Sequence, residues 1–124
     1  MTHPDHLAEL RRICLALPEA TEQETWESAT FRVRGKIFAM TSGDETRSEV
    51  WCKAGIGVQA MLIAADARRF FSPPYVGPKG WIGIRFDDET DWEEVSDLIE
   101  ESYRLVAPKR LIAQLPAPVA GVPD

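Results

Sequence analysis

Histidine is almost missing from this chain: only His3 and His6 occur among 124 residues, both near the start. No central histidine is left for a Ser-His-Asp or Cys-His nucleophile, nor for a usual zinc site. Cysteine is equally sparse. Cys14 and Cys52 stand 38 positions apart with no C-x-x-C between them, a pattern that predicts two reduced thiols acting as small buried hydrophobes. No run of about 18 apolar residues exists, which excludes a membrane-spanning helix. The polar opening from Met1 to Arg12 contains no apolar signal-peptide stretch, so the expected compartment is the cytosol. A P-loop, an EF-hand spacing and an internal repeat are also missing. The chain therefore reads as non-enzymatic, with no cofactor, no metal and no membrane partner expected.

What is present describes an ordinary globular domain. Hydrophobic residues make up 44% and charged residues 27%, and the length suits one core. One domain is predicted over 1–115, followed by a disordered tail over 116–124, where three prolines accompany few large apolar groups. The net charge is −6, but the acid is unevenly spread. Nine carboxylates and no Lys or Arg lie between Asp87 and Glu101, and the rest of the chain carries a balance of +3. A bipolar molecule follows, with one acidic face and a mildly basic remainder.

Apolar spacing predicts a first helix over Pro4–Leu17 on a stripe of Leu7, Leu10, Ile13 or Cys14 and Leu17, stopped by Pro18. Thr2 is the expected cap, with Pro4 and Asp5 in the first turn. The acidic stretch around Trp26 has room for a short strand. Thr30–Met40 reads as a hairpin turning at Arg34-Gly35, where glycine supplies positive φ. That turn pairs Val33 with Lys36 and Phe31 with Phe38. It sets Phe31, Val33, Phe38 and Met40 on one face and Thr30, Arg32, Ile37 and Ala39 on the other. After a polar turn over Thr41–Arg47, Glu49–Lys53 is a strand with Val50 and Cys52 opposed to Trp51 and Lys53. Gly57–Ala65 is a helix with Val58, Met61, Leu62 and Ala65 on its stripe. Phe70 and Phe71 end a short turn, and Ser72–Gly80 is a Pro/Gly loop. Trp81–Phe86 is the last strand, alternating Ile82, Ile84 and Phe86 with Trp81, Gly83 and Arg85. Asp91–Val106 is an amphipathic helix, and Lys109–Leu115 a short final one. The predicted fold class is α+β: a two-layer sandwich of a mainly antiparallel sheet with helices packed on one face.

Three segments resemble one known family. Phe31 to Ala39 (FRVRGKIFA) is similar to a segment of the MmcQ/YjbR family. Pro73 to Ile82 (PPYVGPKGWI) resembles a second of its motifs, and Ser102 to Lys109 (SYRLVAPK) a third. The likeness runs from about His6 to about Leu115. It implies a CyaY-like fold, a cytoplasmic bacterial protein and DNA binding with a winged arrangement.

Three places are candidates for function. The sheet face turned from the helices displays Arg32, Ile37, Trp51, Lys53, Trp81 and Arg85. Interleaved basic and aromatic groups suit a nucleic acid: cations pair with phosphates, and each stacked base is worth about 1–3 kcal/mol. The hairpin tip, with Arg34 and Lys36, extends that surface as a wing. The same face equally suits a protein partner or a homodimer through Trp51 and Trp81, since Trp and Arg are enriched at interfaces. The second place is the Pro/Gly loop, where Tyr75 and Lys79 offer contacts to a phosphate or an acidic partner. Its competing reading is a structured connection into the last strand. The third is the acidic stretch from Asp87 to Glu101, where metal or acidic-ligand handling competes with a solvated helix surface. DNA is the leading expected partner, and a protein-interaction module the alternative.

Overall fold

The computed structural model describes residues 6–25, 28–41 and 49–115. The expected caps at the chain start, the turn before Glu49 and the predicted tail lie outside these residues. Among the described residues, four α-helices and six strands follow in chain order: α1 (His6–Leu15), β1 (Thr21–Thr25), β2 (Ser28–Val33), β3 (Lys36–Thr41), β4 (Glu49–Lys53), α2 (Val58–Ala65), β5 (Phe70–Phe71), β6 (Trp81–Arg85), α3 (Trp92–Val106) and α4 (Lys109–Ile112). The strands form one antiparallel sheet in the order β1-β2-β3-β4-β6-β5. The expected α+β architecture is observed. The acidic stretch holds β1, and Phe70–Phe71 is an edge strand rather than a turn end.

The helical layer is written into α3. Val95, Ile99, Ser102 and Tyr103 recur at three- and four-residue spacing, and all four are buried. Asp91 caps the helix, its side chain accepting from the amides of Glu93 and Glu94. α3 lies across β3 and β4, and α1 packs against α3 and β1. Ser102 ties the layers together. Its hydroxyl donates to the Phe38 carbonyl at 2.6 Å and accepts from the Lys53 amide at 2.9 Å. The Tyr103 hydroxyl donates to the Pro18 carbonyl at 2.7 Å, holding α3 to the α1–β1 connection. Beneath these, Leu10, Cys14, Phe31, Phe38, Cys52, Ile82 and Ile99 are fully buried in one core cluster.

The hairpin corrects one expectation. Its turn is as predicted: Arg34 and Gly35 both have positive φ, 52° and 80°, and Val33 pairs with Lys36. The predicted Phe31–Phe38 pair does not form. Phe31 pairs with Ala39, Thr30 pairs with Met40, and the register shifts between Phe31 and Arg32. Phe38 is the extra residue of a β-bulge. Its ring sits edge-on to Tyr103, with centroids 5.4 Å apart. The bulge brings both Phe38 and Ala39 to the core, where both are fully buried. It thus reverses the predicted faces of Ala39 and Met40. Met40 pairs with Trp51 on the outer face.

A second correction concerns α2. Met61, predicted to face inward, is 60% exposed, and Ala65 is exposed as well. Leu62 and Ile63 are the residues that pack against the core.

Candidate functional site

Because paired residues of neighbouring strands share a face, the register builds the outer surface directly. Lys53 pairs with Trp81, Trp51 with Gly83 and Glu49 with Arg85, while Arg32 pairs with Ile37. All six residues expected on this face therefore lie on it, joined by Met40, Glu49 and Phe71. The Trp51 indole donates to the Glu49 carboxylate at 2.9 Å, which fixes the ring. Phe71 lies flat over Gly83, where any Cβ would collide with its ring. The Arg85 guanidinium caps that ring from 4.4 Å and donates to the Arg68 carbonyl at 3.1 Å. Trp81 is only 9% exposed, so its ring serves packing more than stacking on a ligand.

Charge is arranged along the strands more than across the sheet. At one end lie the β2–β3 hairpin, the end of β4 and the start of β6. This hairpin end carries Lys36 and Lys53, and the loop entering β6 carries Lys79. Among the described residues these three lysines have no ion pair. Arg34 is at the same end but is held by Glu19, Nε to Oε1 at 2.7 Å. That hydrogen bond also holds the Glu19 carboxyl below its usual range, with a smaller contribution from Arg110. α3 runs toward this end. The Leu98 carbonyl is near the Cys52 thiol, and Ser102 and Tyr103 bond further along, to Lys53 and Pro18. Lys109 and Arg110, both exposed on α4, therefore arrive there too.

The opposite end begins α3 and holds the acids of its first turn, Glu93 and Glu94. Glu94 pairs there with Arg69, which also pairs with Asp66 at 2.9 Å. Arg85 belongs to this end, at a groove of about 520 Å3 that Asp66, Arg68, Asp87 and Glu89 help to line. The structure thus gathers Arg32, Arg34, Lys36, Lys53, Lys79 and Trp81 toward one end and separates Arg85 from them.

The loop Ser72–Gly80 closes the hairpin end. It is braced from inside: the amides of Gly77 and Val76 donate to Pro73 and Pro74 at 2.8 and 2.7 Å. The Gln59 side chain of α2 donates to the carbonyls of Gly77 and Trp81 at 2.9 and 2.5 Å. On this brace Tyr75 stands 88% exposed with φ of 67°, a left-handed backbone that costs a tyrosine about 1–2 kcal/mol.

A family model described as YjbR matches residues 15–105. The chain belongs to the YjbR family. The crystal structure of Deinococcus radiodurans protein DR2400, with a family-model domain DUF419, is similar in fold, with a TM-score of 0.76 and 21% sequence identity. The match covers 93% of this chain and 92% of that one. No curated protein matches.

In this YjbR domain both cysteines and Ser102 are taken up by the core, while the buried His6 Nε2 has no hydrogen-bond partner. Cys14 and Cys52 are buried, and burial pushes both thiols up, Cys52 to about 12. Ser102 has its hydroxyl committed on both sides. His6 packs against the touching rings of Phe86 and Trp92, with centroids 5.5 and 6.0 Å away. Among the described residues no three His, Cys, Asp or Glu side chains converge as a metal-holding group. No described helix is long and apolar enough to cross a membrane.

Sequence reasoning missed Lys109 and Arg110 as members of the basic end. The signal was present in Pro108-Lys109-Arg110, directly after α3. Using it required knowing which way α3 crosses the sheet.

Proposed function

We propose that this YjbR domain is a non-catalytic cytosolic module that binds DNA by its basic end. One observation carries the reading. The molecule is acidic as a whole, yet Lys36, Lys53 and Lys79 gather at the end opposite the first-turn acids of α3, with no ion pair among the described residues. Phosphate attraction depends on that local field, not on the total charge. The lysines, with Lys109 and Arg110, supply backbone contacts. Tyr75, held outward on a braced loop, supplies an aromatic face. Arg34, already paired with Glu19, positions the hairpin tip and contributes less.

The test is fluorescence anisotropy of a labelled mixed-sequence duplex across a range of salt concentrations. With about four phosphate contacts, affinity falls with a log–log salt slope of roughly −3 to −4. Lys36→Ala, Lys53→Ala and Lys79→Ala each reduce that slope by about one. Arg85→Ala, at the far end, leaves it unchanged. No binding at low salt, or binding equally sensitive to Arg85→Ala, overturns the reading. An acidic protein surface is the second class of partner that the lysine cluster suits.

A further inference from the structure

A groove away from the basic end carries a proposal independent of DNA binding. Arg11, Arg12, Arg34, Arg69 and Arg104 each hold a carboxylate. Arg68 and Arg85 hold none, although they line the same groove of about 520 Å3 as Asp87 and Glu89. Those two acids are equally without an ion pair among the described residues. Two cations and two anions thus share one space of small-molecule size without neutralising each other. Local structure fixes their placement. The Arg85 guanidinium rests on the Phe71 ring and uses only Nη1, on the Arg68 carbonyl at 3.1 Å, so its Nε–Nη2 edge stays open. Asp87 Oδ1 accepts from the Glu89 amide at 2.8 Å, and the Thr90 hydroxyl accepts from the Asp87 amide at 2.7 Å. Asp87 Oδ2 has no partner among the described residues. Asp66 and Arg69, also in the lining, satisfy each other at 2.9 Å, and Asp66 accepts from the Arg68 amide at 3.2 Å. Phe86, 7% exposed, supplies the apolar part of the wall.

We infer that this groove binds a free α-amino acid as its zwitterion. The open Arg85 edge presents two parallel N–H donors, the geometry that takes a carboxylate bidentately, with the Arg68 charge beside it. Asp87 and Glu89 take the ammonium group. Charge decides the class of ligand. A simple anion on the arginines would lie near Asp87 and Glu89, and a simple cation on the acids would lie near Arg68 and Arg85. Either meets like charge, which costs binding energy. A molecule carrying both signs on one carbon satisfies all four groups at once, and its side chain runs along Phe86. The same argument disfavours a phosphate here and keeps this groove apart from the lysine-bearing end.

An amide NMR titration of the full chain with glycine, L-glutamate, L-lysine and L-phenylalanine, each to millimolar concentration, tests this. The expected result is saturable shifts at Arg68, Arg85, Asp87 and Glu89 with glycine, and with those of the other three whose side chains the groove admits. Acetate and methylamine, the two halves of the zwitterion, each bind about tenfold or more weakly. Arg85→Lys keeps the charge but removes the paired donors, and weakens glycine binding about tenfold. Asp87→Asn removes the charge but keeps the Oδ1 acceptor for the Glu89 amide, with a similar loss. Both residues are exposed, and unchanged shifts in the rest of the spectrum show that the variants fold. Lys53→Ala leaves binding intact. No shifts with any of the four amino acids overturn the proposal. So does acetate binding as tightly as glycine, which would mean an anion site only. A Lys-Glu dipeptide blocked at both ends that binds more tightly than every free amino acid also overturns it, and would assign the groove to side chains of a protein partner.

Discussion

Two helices of this domain invert the usual expectation. α2 is the more uniformly apolar and buries none of its residues, while α3 is heavily charged and buries four. The difference lies in the pattern of apolar residues rather than in their number. α3 segregates its apolar positions into one stripe, so a single orientation both satisfies the sheet and leaves the carboxylates in water. α2 has no polar face to direct it, and its location is set by Leu62, Ile63 and the Gln59 hydrogen bonds. An apolar composition gives a segment a preference for contact. Periodicity decides what it contacts.

That comparison can be broken most severely at the centre of α3. Ile99→Ala removes a fully buried side chain and is expected to cost about 2–5 kcal/mol in urea unfolding. Ser102→Ala leaves the Lys53 amide and Phe38 carbonyl without their partner. The expected loss is about 1–3 kcal/mol, with the midpoint shifted and the denaturant slope unchanged. Cys52, beneath α3, gives a pH signature. Burial raises its folded value to about 12, above an unfolded value of about 8.5. The contribution of the neutral thiol is therefore complete below that unfolded value and is lost as pH rises toward the folded one. Stability should fall by about 1.4 kcal/mol per pH unit for this thiol within that window, and Cys52→Ala should remove that share of the slope while Cys14, raised in the same direction, keeps its own. Asp91→Ala, which uncaps α3, costs about 1 kcal/mol. Met61→Ser on α2 closes the series. Its effect on monomer unfolding should stay within about 0.5 kcal/mol, and a larger loss would mean that the outer side of α2 packs on its own chain.

The hairpin shows how far local reading extends. Arg34-Gly35 specified the turn, and Val33↔Lys36 followed from it. The bulge at Phe38 did not follow, because nothing within the hairpin requires an extra residue. The extra residue meets Tyr103, 65 positions later in the chain, a contact that the hairpin alone does not contain. Trp81 is similar: alternation set it on the outer face, but its near burial depends on the loop and Gln59 folding over that end of β6. The lysines of the basic end were visible as residues. Their convergence depended on strand order and on the direction of α3, neither of which a single segment encodes.

By itself, then, the sequence determined the elements other than β5, the core stripe of α3, the hairpin turn and the kinship with the YjbR family, because each rests on contacts or motifs within a short span of chain. Only the tertiary structure decided which cations meet, which face Met40 and Ala39 take, and that the apolar α2 stays on the surface. Those outcomes depend on pairings between residues distant in sequence, where one bulge or one crossing direction changes every neighbour at once.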